Sequence, residues 1–250
     1  MFNDAGFRFA AESISGLVRK NNEDSFLIAA PRGRKTALAV VADGVGGHRH
    51  GEIVSYISCR DLGRAFALSP DEELLKDGGA ERFLADAVGT INRRVFKINY
   101  EEFAIHPMSS TLVAVLFLPE RAVMLNVGDS RFYVIRPEGG GEQISTDHTL
   151  ANDKEFVYHE KRDSLFAVNT ISRSIGSRYN LKVEIKSVSL KGGERFFMCT
   201  DGVYRDLSAE QIADVLNESL SPLQTVNRIM RSVLLNGAHD NTSAISVFPC

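Results

Sequence analysis

The stretch LAVVADGVGG at residues 38–47 decides the fold. Five apolar residues in succession, without alternation of apolar and polar positions, indicate a strand that is buried on both faces. Asp43 ends this run and Gly44 lets the backbone turn sharply, so a carboxylate is expected at the rim of the core. The runs MLNVGD and RFFMCTD end in the same way, at Asp129 and Asp201.

Short apolar runs of strand length recur along the rest of the chain. They begin at residues 7, 24, 35, 111, 121, 131, 183, 194 and 242. Three pairs of runs are joined by short connections, at residues 117–121, 128–130 and 191–193. Short connections favour antiparallel hairpins, because parallel neighbours need a crossover of a dozen or more residues.

Helical patterns fall into two blocks. Residues 51–68 and 81–99 form the first block, and the second has two helix starts with capping boxes. These are Ser208 with Gln211, and Ser221 with Gln224. Antiparallel strands with segregated helix pairs predict an α+β layered fold. We expect a single domain over residues 1–250, with a polar surface flap at about residues 147–170.

Composition excludes several classes of protein. The chain has 250 residues, of which 29 are basic and 32 acidic, a balance that predicts neither nucleic-acid nor membrane-surface binding. It contains no apolar stretch of the roughly 20 residues that span a bilayer, and no secretory signal pattern at its start. Three widely spaced cysteines indicate no disulfide framework. The expectation is a cytoplasmic protein.

Acidic residues flank several of the predicted strands. Besides the three strand-end aspartates, Glu23 and Asp24 precede one apolar run and Asp240 precedes another. A single Asp beside Gly usually marks only a turn. If the strands gather in one sandwich, however, the carboxylates converge, and converging carboxylates must either protonate or bind cations. Ligands that are all oxygen suit Mg²⁺ or Mn²⁺.

The acidic segments also carry a family resemblance. In chain order the acidic segments are RKNNEDS at 19–25, DGVGGHRHGE at 43–52, GDSR at 128–131, DG at 201–202 and DN at 240–241, and the uncharged pair ST lies between the second and third, at 110–111. This ordered series resembles the motifs of the metal-dependent protein serine/threonine phosphatases (the PPM family, type 2C class), in the form of its bacterial branch. The resemblance extends from about residue 16 to residue 248 and implies a central antiparallel β-sandwich flanked by pairs of helices.

The resemblance implies a set of metal ligands. Asp43, Asp201 and Asp240 would hold one ion, either Mn²⁺ or Mg²⁺. Asp43 and the carbonyl of Gly44 would hold a second, which Glu23 would contact through water.

It also implies a reaction. Asp129, together with Asp201, would hold a weaker third ion; Asp24 would orient a metal-bound water molecule; and Arg19 would bind the substrate phosphate. The expected activity is hydrolysis of phosphoserine and phosphothreonine in proteins, by a hydroxide that bridges two ions. We expect the enzyme to oppose a protein kinase and to be a monomer.

Three positions need separate comment. Val45 stands where some relatives have a histidine proposed as the acid for the leaving alcohol. Arg205 stands where the family usually has an aspartate, and Asp206 follows it, so Asp206 is a weak candidate for the site. His48 and His50 form a His-x-His pattern, which we interpret as a polar loop or helix start.

Three other functions were weighed. The glycines after residue 43 suggest a dinucleotide-binding oxidoreductase, but the third glycine of that pattern is missing. A catalytically impaired pseudophosphatase that binds phosphoproteins is an alternative because of Val45 and Arg205, although the expected carboxylates are present. A phosphatase that acts on a small phosphorylated metabolite would carry the same motifs.

Overall fold

The computed structural model describes residues 6–45, 50–153, 164–218 and 220–250. These form two five-stranded sheets. In spatial order, the first sheet contains β1 (Phe7–Ile14), β10 (Thr242–Pro249), β9 (Arg195–Cys199), β6 (Arg131–Ile135) and β7 (Gly141–Gln143). The second contains β2 (Asp24–Ala29), β3 (Ala37–Asp43), β4 (Leu112–Phe117), β5 (Arg121–Val127) and β8 (Glu184–Ser189). Every ladder between these strands is antiparallel, which also argues against the dinucleotide-binding alternative.

Helices cover both outer faces of the sandwich. They are α1 (Gly51–Leu68), α2 (Asp71–Leu74), α3 (Gly79–Glu102), α4 (Leu165–Asn169), α5 (Asp201–Asp206), α6 (Ala209–Asn217) and α7 (Pro222–Leu235). Apolar residues of α1 and α3 pack on the second sheet, and those of α5, α6 and α7 pack on the first. Together with the apolar layer between the sheets, this gives the predicted α+β fold with a central sandwich. Within the described ranges, none of the helices is long and apolar enough to cross a bilayer.

Strand β3 is buried on both faces, as its sequence predicts. One face packs against α1 and α3, and the other against the first sheet. The residues of the first face are Leu38, Val40 and Ala42, and those of the second are Ala37, Ala39 and Val41. Strand β9 is buried on both faces in the same manner, and Cys199 at its end is fully buried, which raises the pKa of its thiol. Both acidic strand ends therefore lie at the rim of the core.

Two of the three predicted hairpins are wrong. The connection at 117–121 does join paired strands, β4 and β5. The connections at 128–130 and 191–193 instead lead from the second sheet to the first, because β5 and β8 pair with each other whereas β6 and β9 belong to the other sheet. A short connection fixes only that its two strands end close together, not that they share a sheet. The crossing at 128–130 brings Asp129 to the end of the sandwich.

The predicted helices are confirmed, including both capping boxes. Helix α1 spans the predicted 51–68, and α3 extends the predicted 81–99 at both ends. His50 directly precedes α1, in agreement with the helix-start interpretation, whereas His48 lies outside the described residues. Of the predicted flap, residues 154–163 also lie outside them, and its described part contains the unpredicted helix α4.

Candidate active site

Asp43 is held at the end of β3 by its backbone. Its N–H donates to Thr111 Oγ1 at 3.0 Å, while the Thr111 N–H and Ser110 Oγ donate to its carbonyl at 2.8 Å each. Thr111 Oγ1 also contacts Ser130 Oγ at 2.7 Å, which ties Asp43 to the crossing between the sheets. The Ser110-Thr111 motif thus fixes the position from which the Asp43 carboxylate projects.

Asp24 is the cross-strand partner of Asp43, because β2 and β3 pair in that register. Its Oδ2 accepts a hydrogen bond from Thr200 Oγ1 at 2.8 Å. Thr200 directly follows β9 of the first sheet and directly precedes Asp201, the first residue of α5. Asp24 therefore links the two sheets at the same end of the sandwich where Asp43 and Asp201 lie.

Two glycines allow the acidic segments to approach one another. A Cβ at Gly44 would lie 2.5 Å from the carbonyl carbon of Gly51 and 2.7 Å from the carbonyl oxygen of Glu23. A Cβ at Gly202 would lie 2.1 Å from the carbonyl oxygen of Asn241. Any side chain at either position would push apart backbone segments that carry acidic residues, which is the physical reason for the Asp-Gly pairs.

Glu23 and Asp240 come together through Asn241. The Glu23 N–H donates to Asn241 Oδ1 at 2.9 Å, and Asn241 Nδ2 donates to the carbonyls of Ser15 and Asn21 at 3.0 and 2.8 Å. The sequence showed Asn241 only as part of a motif; in the structure it joins the N-terminal acidic loop to the C-terminal one.

Two arginines contact the carboxylates of this cluster. Arg19 donates from Nε to Asp240 Oδ1 and from Nη2 to Asp240 Oδ2, both at 2.9 Å. Arg205 lies 2.7 Å from Asp201 Oδ2 through Nη2 and 3.3 Å from Asp240 Oδ2 through Nη1. In the sequence Arg205 is only a departure from the family pattern, whereas in the structure it contacts the carboxylates of Asp201 and Asp240 at the edge of the cluster.

Asp206 lies outside the cluster and supports it. Its carboxylate accepts hydrogen bonds from the His239 backbone N–H at 2.9 Å and pairs with His239 Nδ1 at 2.6 Å. His239 directly precedes Asp240, so Asp206 holds the loop that carries a candidate ligand.

Burial and neighbouring negative charges make ionisation of these carboxylates less favourable than it is in water. Burial, and then the charge of Asp201, raise the pKa of Asp129 to about 7. Burial raises the pKa values of Asp24 and Asp201 to about 6. For Asp43, burial and the charges of Asp201, Asp24 and Asp129 raise the pKa well above its ordinary value. At neutral pH this cluster favours bound protons or bound cations.

The cleft that these residues line, called the acidic cleft below, has a volume of about 460 Å³. Its charged lining residues are Arg19, Glu23, Asp43, Asp201, Arg205 and Asp240. Asp24 and Asp129 are buried beside it, at 8% and 3% exposure. The structure thus brings all the predicted site residues to one end of the sandwich. Val45 also lines the cleft, and its N–H donates to the Ser109 carbonyl at 3.1 Å.

The cluster fits divalent cations. Three buried carboxylate oxygens have no hydrogen-bond donor among the described residues: Glu23 Oε2, Asp24 Oδ1 and Asp129 Oδ1. Buried anionic oxygens without a donor are rare unless they serve an ion or a reaction. In the same part of the chain, no three His, Cys, Asp or Glu side chains are close enough to enclose an ion by themselves. Arg19 and Arg205 instead engage the carboxylates of Asp240 and Asp201.

Layers of helix, sheet, sheet and helix, with an acidic cleft at one end of the sandwich, are the arrangement that the resemblance to metal-dependent phosphatases implies. The family model described as "Protein phosphatase 2C" matches residues 18–236. The chain belongs to this family.

Individual relatives agree with this assignment. The serine/threonine protein phosphatase PstP of Mycobacterium tuberculosis is 29% identical over 241 residues, which are 95% of this chain and 44% of PstP. The chain therefore spans less than half the length of this curated relative. A solved structure of the PstP catalytic domain in complex with two manganese ions has 28% identity and a TM-score of 0.80, with 97% of each chain covered.

A second solved structure has the same fold. It is that of PppA, described as a key regulatory component of the T6SS in Pseudomonas aeruginosa. It has 31% identity and a TM-score of 0.82, with 98% of each chain covered.

Proposed function

We propose that this chain is a metal-dependent protein phosphatase that hydrolyses phosphoserine and phosphothreonine in proteins. The observation that carries the proposal is the convergence of buried carboxylates, some with unpartnered oxygens, beside a cleft that also presents an arginine. Membership of the protein phosphatase 2C family and the high coverage by named serine/threonine phosphatases support it.

The proposed ligands divide the cleft between two ions. Asp43, Asp201 and Asp240 would hold one, and Asp43, with the Gly44 carbonyl, the other, while Glu23 would contact this second ion through water. Bound divalent ions lower the pKa of a water molecule and neutralise charge on phosphoryl oxygens. The backbone hydrogen bonds of Asp43 support this role, since they fix the end of β3 from which its side chain lines the cleft.

Other residues of the site act on water and on phosphate. Asp24, beside Asp43, would orient the attacking water molecule through its unpaired Oδ1. Arg19 is 45% exposed at its side chain, so it can reach a phosphate that enters the cleft while it contacts Asp240. A planar guanidinium suits that task because it can donate two parallel hydrogen bonds.

The finer parts of the proposal concern the choice of metal, a third ion, the partners and the location of the enzyme. The ions are Mn²⁺ or Mg²⁺, and the two manganese ions in the PstP structure support Mn²⁺ as one that fits such a site. Asp129 would hold a third, weaker ion with Asp201, which the coupling of their charges supports. The proposed partners are phosphoprotein substrates and a serine/threonine kinase, and the proposed enzyme is a cytoplasmic monomer with one catalytic domain.

The pseudophosphatase alternative would require lost ligands, and Glu23, Asp43, Asp129, Asp201 and Asp240 are all present. The deciding experiment is hydrolysis of a phosphothreonine peptide and of p-nitrophenyl phosphate with Mn²⁺, with Mg²⁺ and with EDTA. We expect release of phosphate from the peptide that depends on the metal. No release by folded protein with any metal would contradict the proposal. Release from p-nitrophenyl phosphate alone would contradict its protein substrate.

A further inference from the structure

Arg205 stands in contact with two carboxylates that the proposed function assigns to a metal ion. It lies one helical turn after Asp201 on α5, and its guanidinium reaches both Asp201 Oδ2 and Asp240 Oδ2. The family resemblance leads one to expect an aspartate at this position. A permanent positive charge therefore replaces a negative one at the edge of the acidic cleft.

The contact pairs two of the cleft's carboxylates with two guanidinium groups. Asp201 and Asp240 carry two negative charges, and Arg19 and Arg205 supply two positive ones. Arg19 donates to both carboxylate oxygens of Asp240, whereas Asp201 pairs with Arg205. Arg205 joins the two acidic loops, since 35 residues separate it from Asp240 along the chain.

A guanidinium and a divalent ion cannot bind the same carboxylate oxygen from the same side. The Arg205 side chain can move off the carboxylates into solvent, because it is 39% exposed and belongs to a short helix at the edge of the cleft. Arg131 offers a contrast at the same end of the sandwich. It is fixed by two nitrogens on Asp147 and by the ring of Tyr204 at 3.5 Å, and contacts none of the proposed ligands.

We propose that Arg205 acts as a built-in competitor for the metal, so that an ion binds Asp201 and Asp240 only after displacing its guanidinium. This inference rests on the proposed function, because it assumes that those carboxylates are ligands. Its consequence is a lower apparent affinity for the ion: the site is filled at a higher Mn²⁺ concentration than the carboxylates alone would require. Partly exposed ion pairs are modest in strength, so a divalent ion can still win.

The test is calorimetric titration of the metal-free chain with Mn²⁺, which needs no turnover. Arg205→Met removes the charge and the donors but keeps side-chain length, and Arg205→Gln serves as a second variant if the first does not fold. The matched control is Arg228→Met on α7, which changes net charge equally; Arg228 is 57% exposed, and its recorded ion pair is with Glu218 at 3.7 Å. Loss of a charged hydrogen bond corresponds to about a tenfold change in affinity.

We expect Arg205→Met to bind Mn²⁺ about tenfold more tightly than the unaltered chain, and Arg228→Met to match the unaltered chain. Equal binding by all three proteins, or an equal gain in both variants, would overturn the role of Arg205 and leave the metal site intact. Weaker binding by Arg205→Met would also overturn it, since Arg205 would then be organising the ligands. Absence of binding by every protein would overturn the proposed function as well.

Discussion

The carboxylates at the two ends of strand β3 have pKa values shifted in opposite directions. At its start, Asp71 of α2 accepts from Arg34 Nε at 2.7 Å, from the Lys35 N–H at 2.6 Å and from Thr36 Oγ1 at 2.6 Å. Burial alone would raise the pKa of Asp71, but hydrogen bonds from Thr36, Lys35 and Arg34 outweigh it and lower the pKa. At its end, Asp43 faces other carboxylates and its pKa is raised.

The difference separates a carboxylate that stabilises the fold from one that is kept for a ligand. Asp71 is surrounded by donors and needs nothing further. Near Asp43, the oxygens Asp24 Oδ1 and Asp129 Oδ1 have no donor among the described residues. Leaving such atoms unsatisfied costs stability in the metal-free chain. A divalent ion that binds there returns that free energy, so stability and function are coupled at one end of β3 only.

The largest expected effect is that of Asp201→Asn at the functional end. One carboxylate is proposed to serve two ion positions, so its loss should lower kcat by about a thousandfold or more. The measurement is steady-state hydrolysis of a phosphothreonine peptide at saturating Mn²⁺. Circular dichroism should show that the variant is folded. Activity near that of the unaltered chain would remove Asp201 from the site.

Asp129→Asn should have a smaller effect at the same end. The main ion ligands remain, and only the proposed third ion is weakened, so kcat should fall about tenfold to a hundredfold. The metal-free variant should also melt no lower than the unaltered chain, because a buried carboxylate without a full set of donors has been neutralised. A lower melting temperature with full activity would place Asp129 with Asp71, as a residue of the fold.

At the other end of β3, Asp71→Asn should reverse this pattern. It breaks charged hydrogen bonds to a half-buried arginine, so the free energy of unfolding should fall by about 2 kcal/mol. Urea denaturation measures this loss, and kcat with Mn²⁺ should be unchanged at a temperature where the variant is folded. A fall in kcat would mean that the two ends of β3 do not act independently.

The smallest effect concerns pH. The pKa values of Asp129 (about 7), Asp201 and Asp24 (each about 6) are raised in the folded chain, which therefore holds more protons than the unfolded chain between about pH 4 and 7. These extra protons stabilise the folded chain at low pH, and that stabilisation is lost as pH rises through the pKa values of the folded chain. Mn²⁺ replaces the lost protons, so its effect on melting temperature should grow by a few degrees from pH 5.5 to 7.5.

One histidine contributes to the same pH dependence with the opposite sign. Burial lowers the pKa of His148 to about 4, which opposes the carboxylates in this pH range. His148 is not among the proposed metal ligands, so the difference between melting curves with and without Mn²⁺ at each pH is the quantity to compare. A Mn²⁺ effect that does not change with pH would show that the carboxylates are ionised in the metal-free chain.

Local sequence was sufficient for what local forces determine. Burial of β3 on both faces and the caps at Ser208 and Ser221 followed from residue patterns alone. The crossing at 128–130 did not, because hydrophobic pattern and connection length are the same for a hairpin and for a change of sheet. Strand β7 has only three residues, all exposed, and so carries no apolar signal.

The candidate site divides in the same way. Its aspartates were found because each follows or precedes an apolar run and belongs to an ordered motif. The role of Arg205 was missed, since its contact with Asp240 joins positions far apart in the chain. The change of residue type from the family pattern was a usable signal, but only the fold shows that the arginine contacts Asp201 and Asp240.

The most direct test of the account is a crystal structure of the chain grown with Mn²⁺, with anomalous scattering used to locate the ions. We predict two peaks roughly 3.5–4 Å apart in the acidic cleft, one contacted by Asp43, Asp201 and Asp240 and the other by Asp43 and the Gly44 carbonyl. We also predict that Arg205 has left Asp201 Oδ2. Absence of peaks at these carboxylates in protein that releases phosphate would contradict the central claim that the unsatisfied end of β3 is a metal centre.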